Sequence, residues 1–235
     1  MEYKERIQAI DLVRGVAVTL MILFNYSFTL SYFGLVQIAP NFLYWFVFPR
    51  LIASVFVFLS GTAAYLSFVN RMENFASRYF RRGLKLLIFA GSITLFTYIF
   101  VPEGTIVFGI LHFFAASSFL VPFLVRYDKP NLIFGLLIIL LGFYLQPREF
   151  DFSYLLWLGF VPENFFTFDY FPLIPWLGVL MLGAYLGEYV ARKTTAIEFS
   201  GRLADIFMFL GKNSLTIYLL HQPALVLLLS ILGKI

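Results

Sequence analysis

The sequence predicts an all-α integral membrane protein, a polytopic helical bundle of about seven transmembrane helices. The prediction depends on the apolar fraction, the scarcity of charge and the length of the apolar segments. The 235 residues are 61% hydrophobic and 13% charged, whereas soluble domains carry about 25% charged residues. So few polar groups cannot cover the surface of a water-soluble fold. The chain has no cysteine, which excludes disulfides and a thiolate nucleophile.

Seven segments qualify as candidate spans, because a helix needs about 20 mainly apolar residues to cross the hydrocarbon core; the fifth is the shortest. The seven ranges are approximately 11–33, 43–69, 84–101, 105–125, 130–146, 171–191 and 208–233. Between the fifth and the sixth, residues 146–169 are aromatic and acidic, and Pro147 and Pro162 interrupt them. We therefore expect an interfacial or re-entrant segment there. The whole chain, 1–235, is expected to form a single domain.

The distribution of lysine and arginine predicts the orientation. All of the 17 basic residues except Arg50, Arg148 and Lys234 fall on one side of the predicted spans. The positive side is cytoplasmic, so we expect a cytoplasmic N-terminus and an outside C-terminus in the plasma membrane. The N-terminal stretch is too charged for a cleaved signal peptide. Membrane lipids are the expected surroundings, a nucleic-acid partner is not expected, and a homodimer is left open.

Polar side chains inside the predicted spans mark candidate sites, because a polar group in the hydrocarbon core is costly. Asn25 lies in the outer half of the first span, His112 near the outer end of the fourth, and His221 in the seventh. Each also has a simpler interpretation as a hydrogen-bonding contact between neighbouring helices. The residues alone leave both interpretations open.

The segment "NSLTIYLLHQP" favours a cavity at the seventh span. Ser214, Tyr218 and His221 recur at helical spacing and therefore share one face. Pro223 has no N–H, so the carbonyl of Leu219 loses its helical partner. A freed carbonyl at that depth must face protein or water, not lipid.

Five segments, in order along nearly the whole chain, resemble the heparan-α-glucosaminide N-acetyltransferase catalytic-domain-like family of polytopic membrane proteins. They are "AIDLVRGVAVTLMILFNYSFTLSYFG", "FVFLSGTAAYLSF", "FGILHFFAASSFLVPFL", "DYFPLIPWLGVLMLGAYLG" and "LGKNSLTIYLLHQP". The resemblance implies that acetyl-CoA, bound from the cytosolic side, donates its acetyl group to an amino sugar on the far side of the membrane. No metal is expected.

The resemblance also carries over to single positions. Asn25 matches an asparagine that the lysosomal enzyme places near the acetyl group. Many prokaryotic relatives have a histidine there and an acidic residue four positions on, where this chain has Thr29. His112 and His221 match histidines of the prokaryotic pattern. The lysosomal enzyme's proposed catalytic histidine, in the loop after this helix, has no counterpart in "TLSYFGLVQIAPN".

On this hypothesis each class of residue has a role in acetyl transfer. His112 is the expected base, Asn25 the oxyanion donor, and His221 orients the thioester or the pantetheine. The residues expected to bind acetyl-CoA at the cytoplasmic mouth are Arg14, Arg81, Arg82, Lys85, Lys212, Asn213, Ser214 and Tyr218. The residues expected to hold the acceptor at the outer mouth are Arg148, Glu163 and Asp169.

Two other classes of protein remain open on the sequence. A transporter or lipid-handling protein could use the same polar cavity, although such folds are built from repeats with paired broken helices, and no repeat is evident here. A non-catalytic membrane scaffold could use the histidines as interhelical hydrogen-bonding groups. Stabilisation by CoA separates these classes from a CoA-dependent enzyme, because a ligand that binds only the native state must stabilise it.

Overall fold

Most of the chain is helical in the computed structural model, which describes residues 7–233. The helices are α1 Gln8–Tyr32, α2 Phe48–Asn70, α3 Phe75–Phe100, α4 Ile110–Leu124, α5 Lys129–Leu145, α6 Leu173–Tyr185, α7 Gly187–Thr194, α8 Arg202–Lys212 and α9 Ser214–Ile231. Two short strands, β1 Glu149–Phe150 and β2 Val161–Pro162, pair in parallel. The basic residues at positions 4, 6 and 234, which contribute to the orientation argument, lie outside the described residues.

Four helical segments of the described chain are long and apolar enough to span a membrane. They are α1, the continuous stretch Leu43–Asn70, α3 and α9. α6 and α7 together form a fifth if the 51° bend between them lies within one span. The chain is therefore a helical, multi-pass membrane protein, while the count of seven spans and the orientation stay predictions.

The fourth predicted span is shorter as a helix than as an apolar segment, and the fifth has the length that was predicted for it. Residues 105–109 are non-helical, and Phe108 pairs with Tyr170 in an isolated parallel bridge. α4 consequently has 15 residues and α5 has 17, fewer than the roughly 20 that a perpendicular span requires. Hydropathy merges the non-helical residues with α4 because they are also apolar.

The seventh predicted span, 208–233, is divided between two helices. The Asn213 side chain donates a hydrogen bond from Nδ2 to the Phe209 carbonyl at 2.9 Å, and the Asn213 backbone leaves helical geometry at φ −104° and ψ 14°. α8 therefore ends at Lys212 and α9 begins one residue after the break. Apolar residues on both sides of Asn213 hide this break from a hydropathy argument.

The contacts between helices divide the described chain into two compact units, residues 60–188 and residues 7–59 with 189–233. The expectation that residues 1–235 form a single domain stays a prediction. In the first unit α3 packs on α4, and α6 packs on α5 and α4. In the second unit α1 packs on α8 and on α9.

Glycines allow close helix packing in the first unit. Thr62 Oγ1 donates to the Gly183 carbonyl at 3.0 Å, and a Cβ on Gly187 would lie 2.8 Å from the Tyr65 side chain. Thr62 is fully buried. Small residues let helix backbones approach closely, which is how helices associate without water.

Two further glycines hold α1 against α8 in the second unit. A Cβ on Gly15 would lie 1.8 Å from the Phe207 carbonyl oxygen, and a Cβ on Gly211 would lie 1.8 Å from the Asp11 carbonyl oxygen. No side chain larger than hydrogen fits at either position. This crossing fixes the N-terminal half of α1 beside the helix that precedes α9.

Candidate functional site

A direct hydrogen bond joins two of the three predicted catalytic side chains. Asn25 Nδ2 of α1 lies 2.9 Å from His221 Nε2 of α9. His221 is buried, with 8% of its surface exposed. Residues 196 positions apart in the sequence therefore form one polar contact inside the second unit.

The partners of His221 assign its tautomer. Nδ1 lies 2.6 Å from the Tyr218 carbonyl oxygen, and a carbonyl can only accept, so Nδ1 carries the proton. Nε2 then has a free electron pair, which accepts the hydrogen bond from the Asn25 amide. The Tyr26 hydroxyl donates to the His221 carbonyl at 3.1 Å, and the two rings stack with centroids 6.2 Å apart. Both ring nitrogens of His221 are thus hydrogen-bonded, and its backbone carbonyl has a third partner.

A second polar contact between α1 and α9 lies next to the first. Gln222 Nε2 donates to Thr29 Oγ1 at 2.6 Å, and Thr29 is buried. The two contacts pair residues 25 and 29 of α1 with residues 221 and 222 of α9. Gln222 was not predicted as a site residue. The spacing of four between Asn25 and Thr29, which fall on one helical face, was the available signal.

The foot of α9 carries four of the residues predicted to bind acetyl-CoA. Lys212 ends α8, Asn213 is engaged with Phe209, and Ser214 begins α9. Tyr218 lies one turn higher, with its ring centroid 5.6 Å from that of His221. Ser214 and Tyr218 therefore lead along α9 from its first residue to the histidine, and Lys212 and Asn213 directly precede this helix.

Arg14 also lies in the second unit, on α1. It is half-buried, and its Nη2 donates to the Leu59 carbonyl at 3.5 Å. The neighbouring Gly15 is pressed against α8. Arg14 is therefore anchored to backbone near the foot of the same helix that carries Asn25.

His112, the predicted base, has a partner for each ring nitrogen in the first unit. Gly109 N–H donates to Nδ1 at 3.2 Å, which leaves Nε2 as the donor toward Thr94 Oγ1, also at 3.2 Å. Thr94 in turn donates to the Ile106 carbonyl at 2.6 Å. These contacts cap α4 and fix the loop before it, and they occupy the electron pair that a base needs.

Asp169 binds the same end of α4 as His112, the N-terminus. Its Oδ2 accepts a hydrogen bond from Ile110 N–H at 2.9 Å, and it packs so closely that a Cβ on Gly109 would lie 2.2 Å from that oxygen. A carboxylate at a helix N-terminus satisfies an unpaired donor and complements the helix dipole. Beside it, burial raises the pKa of the Tyr170 hydroxyl, which donates to the Leu156 carbonyl at 2.7 Å.

The other two residues predicted to hold the acceptor lie in the segment between α5 and α6. Arg148 donates to the Tyr144 carbonyl and lies 3.6 Å from the centroid of the Tyr144 ring. Glu163 lines an open cavity of about 360 Å³ with Phe150, Asp151 and Pro162. Neither residue contacts Asp169 through a hydrogen bond that the structure describes.

Three predicted phosphate-binding cations lie on α3. Arg81, Arg82 and Lys85 are exposed, and the Arg82 guanidinium lies 5.6 Å from the centroid of the Tyr79 ring. Arg78, one turn earlier, is instead occupied by the carbonyls of Arg71 and Glu73. The exposed three are therefore the cations of this helix that an anionic ligand can reach.

The model of the family described as heparan-alpha-glucosaminide N-acetyltransferase, catalytic, matches residues 6–223. The chain belongs to this family. It matches no curated protein and no solved structure. The family match begins just before α1 and ends at Pro223, so it includes both hydrogen-bonded pairs between α1 and α9.

Membership of this family implies that the protein is a membrane transferase. Every residue predicted from the sequence as a site residue falls within the matched range. The structure brings Asn25, Tyr218 and His221 into contact, and it joins His112 to the same helix end as Asp169. The roles of these residues remain proposals.

Proposed function

We propose that this family member transfers an acetyl group from cytosolic acetyl-CoA to an amino sugar, or a related amine, on the outer side of the membrane. The observation that carries the proposal is the contact between Asn25 Nδ2 and His221 Nε2 at 2.9 Å. An amide donor thus lies beside the unprotonated nitrogen of a neutral imidazole, between two helices that are long and apolar enough to span a membrane. Amine acetylation needs both groups at the reacting carbon.

The chemistry requires one proton transfer and one developing negative charge. The amine nitrogen attacks the thioester carbon, and its proton passes to Nε2 of His221 as the new C–N bond forms. The Asn25 amide N–H, released from Nε2 by the incoming amine, donates to the thioester oxygen as it becomes negative. The carbon–sulfur bond then breaks, and the proton on Nε2 goes to the departing CoA sulfur. The products are an N-acetylated acceptor and CoA.

We assign the base to His221 in place of His112. The Tyr218 carbonyl holds the proton on Nδ1 of His221, so Nε2 carries the electron pair, and its partner is the Asn25 side chain, which an incoming amine can displace. His112 uses its Nδ1 electron pair to accept from Gly109, and its Nε2 donates to Thr94. His112 is then a structural cap of α4, and the proton transfer belongs to the α1–α9 pair.

Acetyl-CoA binding follows from the charges. The nucleotide phosphates need cations: Arg14 and Lys212 are the candidates in the unit that holds Asn25 and His221, and the three exposed cations of α3 are separate candidates in the other unit. The pantetheine arm then extends along α9 past Ser214 and Tyr218 toward His221. This path brings the thioester to Asn25 without a metal.

Release of CoA thiol from acetyl-CoA by purified protein in liposomes, with glucosamine as the acceptor, tests the proposal. Wild-type protein should release thiol in a glucosamine-dependent way, and acetyl-CoA should raise its unfolding temperature. His221→Gln, which keeps a polar side chain but no base, should lose turnover and keep the stabilisation by acetyl-CoA. Glucosamine-independent signal, or full turnover by His221→Gln, would contradict the mechanism. Absence of stabilisation by acetyl-CoA would favour a transporter or a scaffold.

A further inference from the structure

The Gln222 amide contains the one buried side-chain polar atom without a hydrogen-bond partner among residues 7–233, its Oε1. The other end of the amide is engaged, because Nε2 donates to Thr29 Oγ1. An unpaired carbonyl oxygen in a low-dielectric interior costs free energy. A methionine of similar length would fill the same space without that cost.

The surroundings of this oxygen connect it to the proposed chemistry. Gln222 follows His221 directly, and its partner Thr29 lies one turn along α1 from Asn25. The Tyr26 hydroxyl donates to the His221 carbonyl, and the Asn25 amide donates to the His221 ring. Gln222 Oε1 is an unpaired acceptor atom. Thr29 holds its amide next to Asn25 and His221, the pair proposed to activate the amine.

We propose that Gln222 Oε1 binds a hydrogen-bond donor of the acetyl acceptor, a hydroxyl or N–H next to the attacking amine, and so helps to select that substrate. The inference rests on the proposed function and names a further residue of the same site. Thr29 acts as a positioning residue, because its hydroxyl accepts a hydrogen bond from the Gln222 amide. The same chemistry could come from a pantetheine amide N–H of acetyl-CoA, and separate kinetic constants for the two substrates distinguish these sources.

The kinetic test uses glucosamine as the acceptor and four variants. Gln222→Met should raise the KM for glucosamine about tenfold, the equivalent of one lost hydrogen bond of about 1.4 kcal/mol, while the KM for acetyl-CoA stays unchanged. Gln222→Glu keeps an acceptor oxygen and should stay close to wild type. Thr29→Val should raise the KM for glucosamine by a smaller factor. Thr19→Val is the matched control, because Thr19 Oγ1 donates only to the Gly15 carbonyl of its own helix.

Three kinetic results would overturn the inference. An unchanged KM for glucosamine in Gln222→Met would make the amide structural. A rise in the KM for acetyl-CoA alone would assign the oxygen to the pantetheine. Equal losses in Gln222→Glu and Gln222→Met would show that the free end of the amide acts as a donor.

A binding measurement separates failure of this inference from failure of the proposed function. Glucosamine should raise the unfolding temperature of wild-type protein and of Gln222→Glu, but not that of Gln222→Met. Ligand-free Gln222→Met should unfold at or above the wild-type temperature, which shows that it folds. If wild-type protein transfers no acetyl group, the proposed function fails and this measurement still decides the inference. Equal shifts in wild type and Gln222→Met, or no shift in either, would refute it.

Discussion

Asn25 Nδ2 and His221 Nε2 lie 2.9 Å apart and connect α1 to α9. Because Tyr218 holds the proton on Nδ1 of the histidine, the amide must donate and the imidazole must accept. The contact defines which nitrogen can take a proton. It also holds the proposed oxyanion donor, Asn25, within reach of the atom that would receive the proton in the proposed mechanism.

Replacing Asn25 tests its proposed role as the hydrogen-bond donor to the oxyanion. Asn25→Asp keeps the shape but supplies no N–H to a neutral Nε2 or to a developing oxyanion, so kcat should fall about 100-fold, as when one oxyanion donor is removed. The KM for acetyl-CoA should change little. Steady-state thiol release at varied acetyl-CoA measures both constants. A kcat within a few fold of wild type would remove Asn25 from the chemistry.

Replacing His112 separates a structural cap from a base. His112→Ala removes the acceptor for Gly109 N–H and the donor to Thr94, so it should destabilise the protein by about 1 to 2 kcal/mol. Asp169→Ala should have a similar effect through the lost α4 cap. Both variants should keep the turnover per folded molecule.

The readouts for His112 are the unfolding temperature and the specific activity of the folded fraction. Loss of turnover in His112→Ala with an unchanged unfolding temperature would restore His112 as the base. Retained turnover with a lower unfolding temperature would support the assignment to His221. Asp169→Ala is the matched comparison, because it acts on the same helix end without an ionisable ring.

Enlarging the glycines of the α1–α8 crossing should damage stability. A Cβ on Gly15 or Gly211 would lie 1.8 Å from a carbonyl oxygen of the other helix, so the backbones must separate. Gly15→Ala and Gly211→Ala should each lower the free energy of unfolding by about 1 to 3 kcal/mol or more. Thermal unfolding in detergent gives the order of stability. Gly91→Ala is the control, because an added Cβ there meets no atom within 4 Å, and it should unfold no earlier than wild type.

Neutralising the exposed cations of α3 should weaken acetyl-CoA binding. Replacing Arg81, Arg82 and Lys85 together by Gln should raise the KM for acetyl-CoA at least tenfold, and the difference should shrink as salt rises, because exposed charges are screened. Arg50→Gln is the control, since Arg50 lies on the predicted outer side and its guanidinium is 3.4 Å from the Phe46 ring centroid. If the triple variant and Arg50→Gln had equal KM values for acetyl-CoA, the phosphates of acetyl-CoA would not bind at these α3 cations.

The candidate site was predictable in part, and the limits have physical causes. Asn25 and His221 stand out because polar groups are costly in a membrane helix. Their direct contact was not predictable, because helical periodicity describes one helix face and not the neighbour that covers it. The hydrogen bonds of His112 were not predictable for a similar reason. Gly109 lies in the loop one turn before it, and Thr94 belongs to another helix.

The sequence by itself determined that this is a helical membrane protein of the heparan-α-glucosaminide N-acetyltransferase catalytic family, because apolar length and ordered motifs are properties of the chain alone. It also located the polar positions inside the spans. Only the tertiary structure decided that α8 and α9 are separate helices, that Asn25 donates to His221, and that Gln222 keeps an unpaired oxygen beside Thr29. A hydrogen bond depends on the distance and direction between two groups, and for groups on different helices packing alone fixes both.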